Sequence, residues 1–237
     1  MMKILITNDD GIDSDGLVRL ANASKDFGEV YIVAPDGQRS AMSHSITLRH
    51  SIEAWQVDFP VKDVKAFACN GTPADCVRIG VLNIVPGRPD YVFSGINYGY
   101  NSASDLQYSA TVGAALEASF QDVQAIAFSE DANDTHEVTD KYLNETIRTL
   151  IEKPLGKNQI WNVNFPSCKE HECKGIKWDV TVSDDEFYKD YYDEKVIGDN
   201  RKSYMVVGVR NWQAKEGTDL RAILDNYVSV GIVSNLK

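Results

Sequence analysis

Asp9 and Asp10 stand side by side directly after a short apolar run and are followed by Gly11. Adjacent carboxylates repel each other and raise the pKa of at least one, unless a cation or a web of backbone donors keeps both ionised. A divalent metal is the economical solution, and a metal held this way can activate water or neutralise an anionic substrate. Asp and Gly also populate ordinary solvated turns, so the elements around the pair must decide. Ile4-Leu5-Ile6 does not alternate and is too short for a helix. It reads as a strand buried on both faces inside a parallel sheet, with the aspartates at its carboxyl end, where such sheets bind ligands.

Two more strand-end loops carry chemistry. Glu29 to Pro35 reads as a second strand, followed by Asp36-Gly37-Gln38-Arg39-Ser40-Ala41-Met42-Ser43-His44-Ser45. Asp90 to Gly95 reads as another, followed by Ile96-Asn97-Tyr98-Gly99-Tyr100-Asn101 and then by Tyr108-Ser109-Ala110-Thr111-Val112-Gly113, which opens a helix. Together the three loops supply carboxylates, amides and hydroxyls, with no thiolate or paired histidine at ligand spacing; such hard donors select Mg²⁺, Mn²⁺ or Ca²⁺ over zinc. Ser109 and Thr111 at a helix start read either as ordinary N-caps or as part of an anion cradle. A metal beside an anion cradle points to a phosphate ester.

The remaining pattern sets the frame. Leu17, Leu20 and Ala21 lie at helical spacing, and Val77, Ile79 and Val81 follow a cap at Thr72-Pro73. Val112 to Ala118 and Val138 to Glu152 read as helices, and Ala125 to Ser129 and Ile160 to Pro166 as strands. Strands alternating with helices predict an α/β fold with a mostly parallel sheet flanked by helices. The reading is one domain over residues 1–237, with a core at about 1–166 and 204–237. A charged, Tyr-rich excursion occupies about 168–203, where aromatic residues line an oligomer interface or decorate hairpins; Tyr204 to Val209 and Tyr227 to Ile232 read as returning strands.

Composition excludes several classes. The 237 residues are 43% hydrophobic, enough for a substantial core, and the net charge of −11 argues against a surface for nucleic-acid duplexes, which needs clustered Lys and Arg. Four cysteines without a disulfide framework, an N-terminal apolar run cut short by Asn8-Asp9-Asp10, and no stretch near the roughly 20 apolar residues of a membrane span predict a cytoplasmic protein that does not enter the membrane. Cys168-His171-Cys173 lacks a second ligand pair and reads as a charged loop rather than a zinc site.

Several separated segments, in order, resemble the SurE family: Ile4 to Ile12, Val33 to Asp36 with Arg39-Ser40 and Ser43-His44-Ser45, Asn70-Gly71-Thr72-Pro73 with Asp75-Cys76-Val77, Ser94 to Gly99 with Asn101, Tyr108 to Ala115, Glu216 to Asp219, and Asp225 to Ser229. The resemblance spans nearly the whole chain. It implies a Rossmann-like fold assembled as homodimers or homotetramers. It also implies metal-dependent release of phosphate from nucleoside 5'-monophosphates, with 3'-monophosphates and short polyphosphate as further substrates. One divalent ion per subunit, Mg²⁺ or Mn²⁺, would be held by Asp9, Asp10, Ser40 and Asn97, with Asp9 or Asp10 also orienting the attacking water. Asn101, Ser109 and Thr111 would hold the phosphate, and Gly95 would allow close approach of the backbone. His44 is read as an acid, a phosphate donor or a structural residue. Two features depart from the family pattern: Ala110 stands where glycine is common, and the chain stops at Lys237, where many relatives continue into a helical arm used in subunit exchange.

Three other readings compete. A phospho-receiver domain is far shorter and needs an Asp and a Lys on later strands, where this chain has Ser94-Gly95 and Ser129-Glu130. A phosphatase with an aspartyl intermediate places its carboxylates on alternate positions, whereas Asp9 and Asp10 are adjacent. A non-catalytic metal- and nucleotide-binding module differs from the enzyme only in turnover.

Overall fold

The computed structural model describes residues 1–236, so the chain end at Lys237 lies outside the described residues. From the N-terminus, β1 (Lys3–Thr7), α1 (Asp15–Ser24), β2 (Glu29–Pro35), β3 (Ala54–Val57), β4 (Lys65–Cys69) and α2 (Pro73–Ile79) build one half. The chain continues through β5 (Tyr91–Tyr98), α3 (Ala110–Phe120), β6 (Gln124–Glu130), α4 (Glu137–Leu150) and β7 (Gln159–Phe165). It ends with β8 (Ile176–Val180), β9 (Tyr188–Gly198), β10 (Arg201–Arg210), α5 (Asp219–Leu224) and β11 (Val228–Ser234).

The sheet has nine strands in the order β3-β4-β2-β1-β5-β6-β7-β11-β8. Its centre, β4-β2-β1-β5-β6-β7, is parallel throughout, with Ile4 opposite Val30 on one side and Tyr91 on the other. β3 is antiparallel at one edge, and β11 runs antiparallel to β7 and parallel to β8. After β1 the chain builds outward through β2 and β4, then returns to lay β5 on the other side of β1. The strand order therefore reverses between β1 and β5, and the crevice outside their carboxyl ends is where doubly wound sheets take ligands. Asp9 and Asp10 follow β1 directly at that point.

The apolar runs lack alternation because both faces of these strands are covered. Ile4, Ile6, Ile32, Phe93, Ile126 and Phe128 pack on one face with Leu17 and Leu20 of α1 and Leu143, Ile147 and Leu150 of α4. Leu5, Val33, Val92, Ala125 and Ala127 pack on the other with Val77 of α2 and Val112, Ala115 and Leu116 of α3. Capping residues start the helices: Ser14 for α1, Thr72 in a capping box with Asp75 for α2, Ser109 for α3 and Thr218 for α5.

Two expectations about the last third need correction. Ile176–Val180, assigned above to the excursion, is β8 of the main sheet. Tyr204 to Val209, read above as a core strand, lies in β10, which pairs only with β9 in a separate two-stranded ribbon. Its apolar residues face outward: Tyr191, Tyr192, Val196, Tyr204, Met205 and Val206 are all more than half exposed. β3, β4 and α5 had no counterpart in the sequence reading. No helix among the described residues is long and apolar enough to cross a membrane.

Candidate functional site

The turn after β1 is locked by its own side chains. Asn8 donates through Nδ2 to the Gly11 carbonyl (2.9 Å) and to Ser14 Oγ (2.6 Å). Gly11 adopts φ +101° and lies against the backbone of Gly37, so a side chain there would push the first two loops apart. The loops are further joined by the Arg39 amide, which donates to the Asp9 carbonyl (2.6 Å), and the Ile12 amide, which donates to Pro35 (2.8 Å). Ser40 is exposed and follows Arg39, whose amide makes this link.

Asp9 is only 4% exposed. Its Oδ1 accepts the Thr111 hydroxyl at 2.6 Å. Burial pushes the Asp9 carboxyl up to about 7; the charge of Asp10 adds to this, and hydrogen bonding from Thr111 opposes it. Asp10 is half-buried, and burial raises it too, against hydrogen bonds from the Tyr98 amide (3.0 Å) and the Gln38 side chain. The ion pairs formed among the described residues include neither carboxylate. Two desolvated carboxylates without a cationic partner fit a hard divalent ion. Asn97 fits as well: its Nδ2 donates to the Gly99 carbonyl (2.7 Å), leaving Oδ1 as a neutral oxygen donor.

Asn101 is gripped from β7. Its amide donates to Asn164 Oδ1 (2.8 Å), its carbonyl accepts from Asn162 (2.9 Å) and Asn164 (3.0 Å), and its Nδ2 donates to Ser129 Oγ (2.8 Å). Ser109 caps α3 by accepting the Val112 amide (3.1 Å). Thr111, in the first turn, is committed to Asp9, so in this state the start of α3 faces a carboxylate of the protein itself. Gly95 has φ +135° and sits at an irregularity of the β5–β6 pairing. A Cβ there would collide with the Phe128 carbonyl of β6, so the close approach that glycine permits in this structure is to the neighbouring strand.

His44 meets α3 at Glu117. Its Nε2 lies 2.7 Å from Glu117 Oε2, while Glu117 Oε1 accepts from Arg78 (3.1 Å) and Gln121 (2.8 Å). Burial opposes ionisation of Glu117, but hydrogen bonds from His44 and Gln121 and the charges of His44 and Arg78 hold it below the usual range. With Ser43, whose Oγ donates to the Gln107 carbonyl (2.7 Å), His44 fastens the loop that carries Ser40.

Several residues that shape the site were missed at the sequence level. Asn162 and Asn164 occupy alternate positions of an apolar buried strand, and that break in the apolar run is their signal. Asp219, quoted above only within a motif, accepts the amides of Ala103 (3.1 Å) and Ser183 (2.8 Å) and ties the loop after β5 to α5. Glu130, buried at the end of β6, holds Arg19 (2.6 Å) and the Thr139 hydroxyl (2.6 Å).

Fold and site define a Rossmann-like α/β protein with an acidic crevice at its topological switch point. Comparison with known proteins agrees. The family described as "Survival protein SurE" matches residues 4–189. The chain is similar to "5'-nucleotidase SurE" of Clostridium botulinum (strain ATCC 19397 / Type A), 36% identical over 97% of this chain and 91% of the relative. It is also similar to the protein of that name in Thermoanaerobacter sp. (strain X514), 37% identical over 97% and 90%. Among solved structures, "Crystal Structure of Sure Protein from Aquifex aeolicus" superposes with a TM-score of 0.84 at 32% identity, over 99% of this chain and 94% of that one. The chain belongs to the SurE family.

Proposed function

We propose that this protein is a divalent-metal-dependent phosphohydrolase that releases phosphate from nucleoside monophosphates, 5'-esters first and 3'-esters as a further class. The observation that carries this reading is the pair Asp9 and Asp10, desolvated, without a cationic partner, and set at the switch point beside the start of α3. The relatives' name, 5'-nucleotidase SurE, supports the substrate class.

Asp9, Asp10, Ser40 and Asn97 would hold one Mg²⁺ or Mn²⁺. When bound, such an ion lowers the pKa of water and neutralises charge on a phosphoryl group. The chain's own residues do the rest. Asp10, fixed by the Tyr98 amide, orients the attacking water. Asn101, held rigid by Asn162 and Asn164, and Ser109 at the α3 N-terminus receive phosphate oxygens, aided by the helix dipole. Thr111 joins them once its hydroxyl is released from Asp9.

The test is phosphate release from a panel of 5'- and 3'-mononucleotides and short polyphosphate by metal-stripped protein. We expect release to return with Mg²⁺ or Mn²⁺ and to vanish with EDTA. Folded, metal-loaded protein that hydrolyses none of these substrates would overturn the phosphatase reading in favour of a binding role.

The same reading includes a cytoplasmic location, supported by four free cysteines, and a homodimer or homotetramer, supported by the β9–β10 ribbon. A lone two-stranded ribbon is marginal in water, and this one exposes Tyr192 opposite Val206. Replacing both with glutamate should lower the mass measured by analytical ultracentrifugation to that of a smaller assembly while the circular dichroism stays native. An unchanged mass would remove the ribbon from the interface.

A further inference from the structure

Beside the acidic pair, a cavity of about 360 Å³ opens between the start of α1, the end of β5 and the β6–α4 connection. Its volume lies in the range of small-molecule sites. Asp10 forms part of the wall, so the cavity adjoins the carboxylate proposed above to orient the attacking water. Ile96, fully buried, provides an apolar lining, and Tyr98, 52% exposed, also lines the cavity. The Tyr98 amide is bound to Asp10 Oδ2, which fixes where its ring begins relative to the acidic pair.

The polar lining is acidic but unequal. Glu130 is already neutralised by Arg19 and faces His136, whose Nδ1 lies 3.0 Å from Oε1. Asp15 and Asp134, both exposed, also line the cavity. Arg19, the cation nearest Asp15, stands 3.7 Å away and is engaged more closely by Glu130 and Asp140. An aromatic ring over an apolar lining suits a flat heterocycle. Carboxylate acceptors suit hydroxyl and amino donors and repel a second anionic group.

We propose that this cavity receives the nucleoside half of the substrate, with the Tyr98 ring stacked on the base and Asp15 and Asp134 accepting from ribose hydroxyls or an exocyclic amino group. The assignment rests on the phosphatase reading and narrows it: the site prefers a nucleoside monophosphate over polyphosphate and over nucleotides that carry a further phosphate in this cavity.

The test compares kcat/KM for AMP, glycerol phosphate and tripolyphosphate. In Tyr98→Ala the ratio of AMP to glycerol phosphate should fall about tenfold, mainly through KM for AMP, with Tyr98→Phe retaining the parent ratio because it keeps the ring. Asp134→Lys should raise hydrolysis of tripolyphosphate relative to AMP. An unchanged ratio in Tyr98→Ala, or equal losses on both esters, would overturn the assignment. Calorimetric binding of adenosine to the parent and to Tyr98→Ala separates the two claims. If no ester is hydrolysed yet adenosine binds and the variant weakens it, the phosphatase reading fails and the nucleoside cavity stands; if adenosine does not bind, the cavity assignment fails by itself.

Discussion

Asp9→Asn should lower metal-supported phosphate release by about a thousandfold or more, equivalent to about 4 kcal/mol of lost transition-state stabilisation. It should also stabilise the metal-free fold at neutral and alkaline pH. Asp9 has a folded-state pKa of about 7 against an ordinary 3.8. A carboxyl raised on folding contributes stability that is fully present below its unfolded pKa and is lost as the pH climbs to the folded one. The metal-free protein should therefore lose stability between about pH 4 and pH 7, by a few kcal/mol at roughly 1.36 kcal/mol per pKa unit. Asparagine cannot ionise, so the variant should show a much flatter profile and unfold later than the metal-stripped parent at pH 8. Urea unfolding in EDTA across that range is the measurement. Parallel profiles for the two proteins would mean that Asp9 is solvated rather than buried, and full activity in the variant would remove it from the metal site.

Gly95→Ala is the second large effect. The substitution forces an L-residue to φ +135° and drives its Cβ into the Phe128 carbonyl. Backbone strain of about 1–3 kcal/mol and a steric cost of similar size together predict a loss of about 3 kcal/mol or more. The sheet would have to open between β5 and β6, the strands that carry Asn97 and Glu130 near their carboxyl ends, so activity should fall beyond what destabilisation explains. Gly99→Ala is the control: Gly99 has nearly the same φ, +133°, but only Asn97 Nδ2 near its missing Cβ, at 3.6 Å. It should lose the strain component alone. Equal losses at the two positions in denaturant titrations would show that the collision with β6 contributes nothing.

The parts of the fold legible in the sequence are those in which burial is symmetrical. β1, β2, β5, β6 and β7 have both faces covered, so their residues form unbroken apolar runs that periodicity identifies. β3 is exposed along most of its length and β4 is short and carries Lys65, which hides both. β8 alternates with Lys177 and Asp179 and merges into a charged stretch, whereas β10 is apolar without being in the core. An apolar run reports that a surface avoids water; it does not report whether this chain or another copy covers it. In the site, Asp9 and Asp10 were legible because carboxylates seldom follow a buried strand without a partner. Asn164 and Asp219 were not, because they act on Asn101 and Ala103 across 63 and 116 residues.

Those spans bear on the order in which the molecule is made. Every residue proposed to touch metal or phosphate lies before position 112, yet the loop after β5 is clamped by Asp219 of α5, 116 residues beyond Ala103. Contacts this distant in sequence form late because closing long loops costs chain entropy. A nascent or prematurely terminated chain thus carries the full set of donors without the clamp that arranges them. Competence to act on nucleotides would therefore wait until α5 has been made and docked.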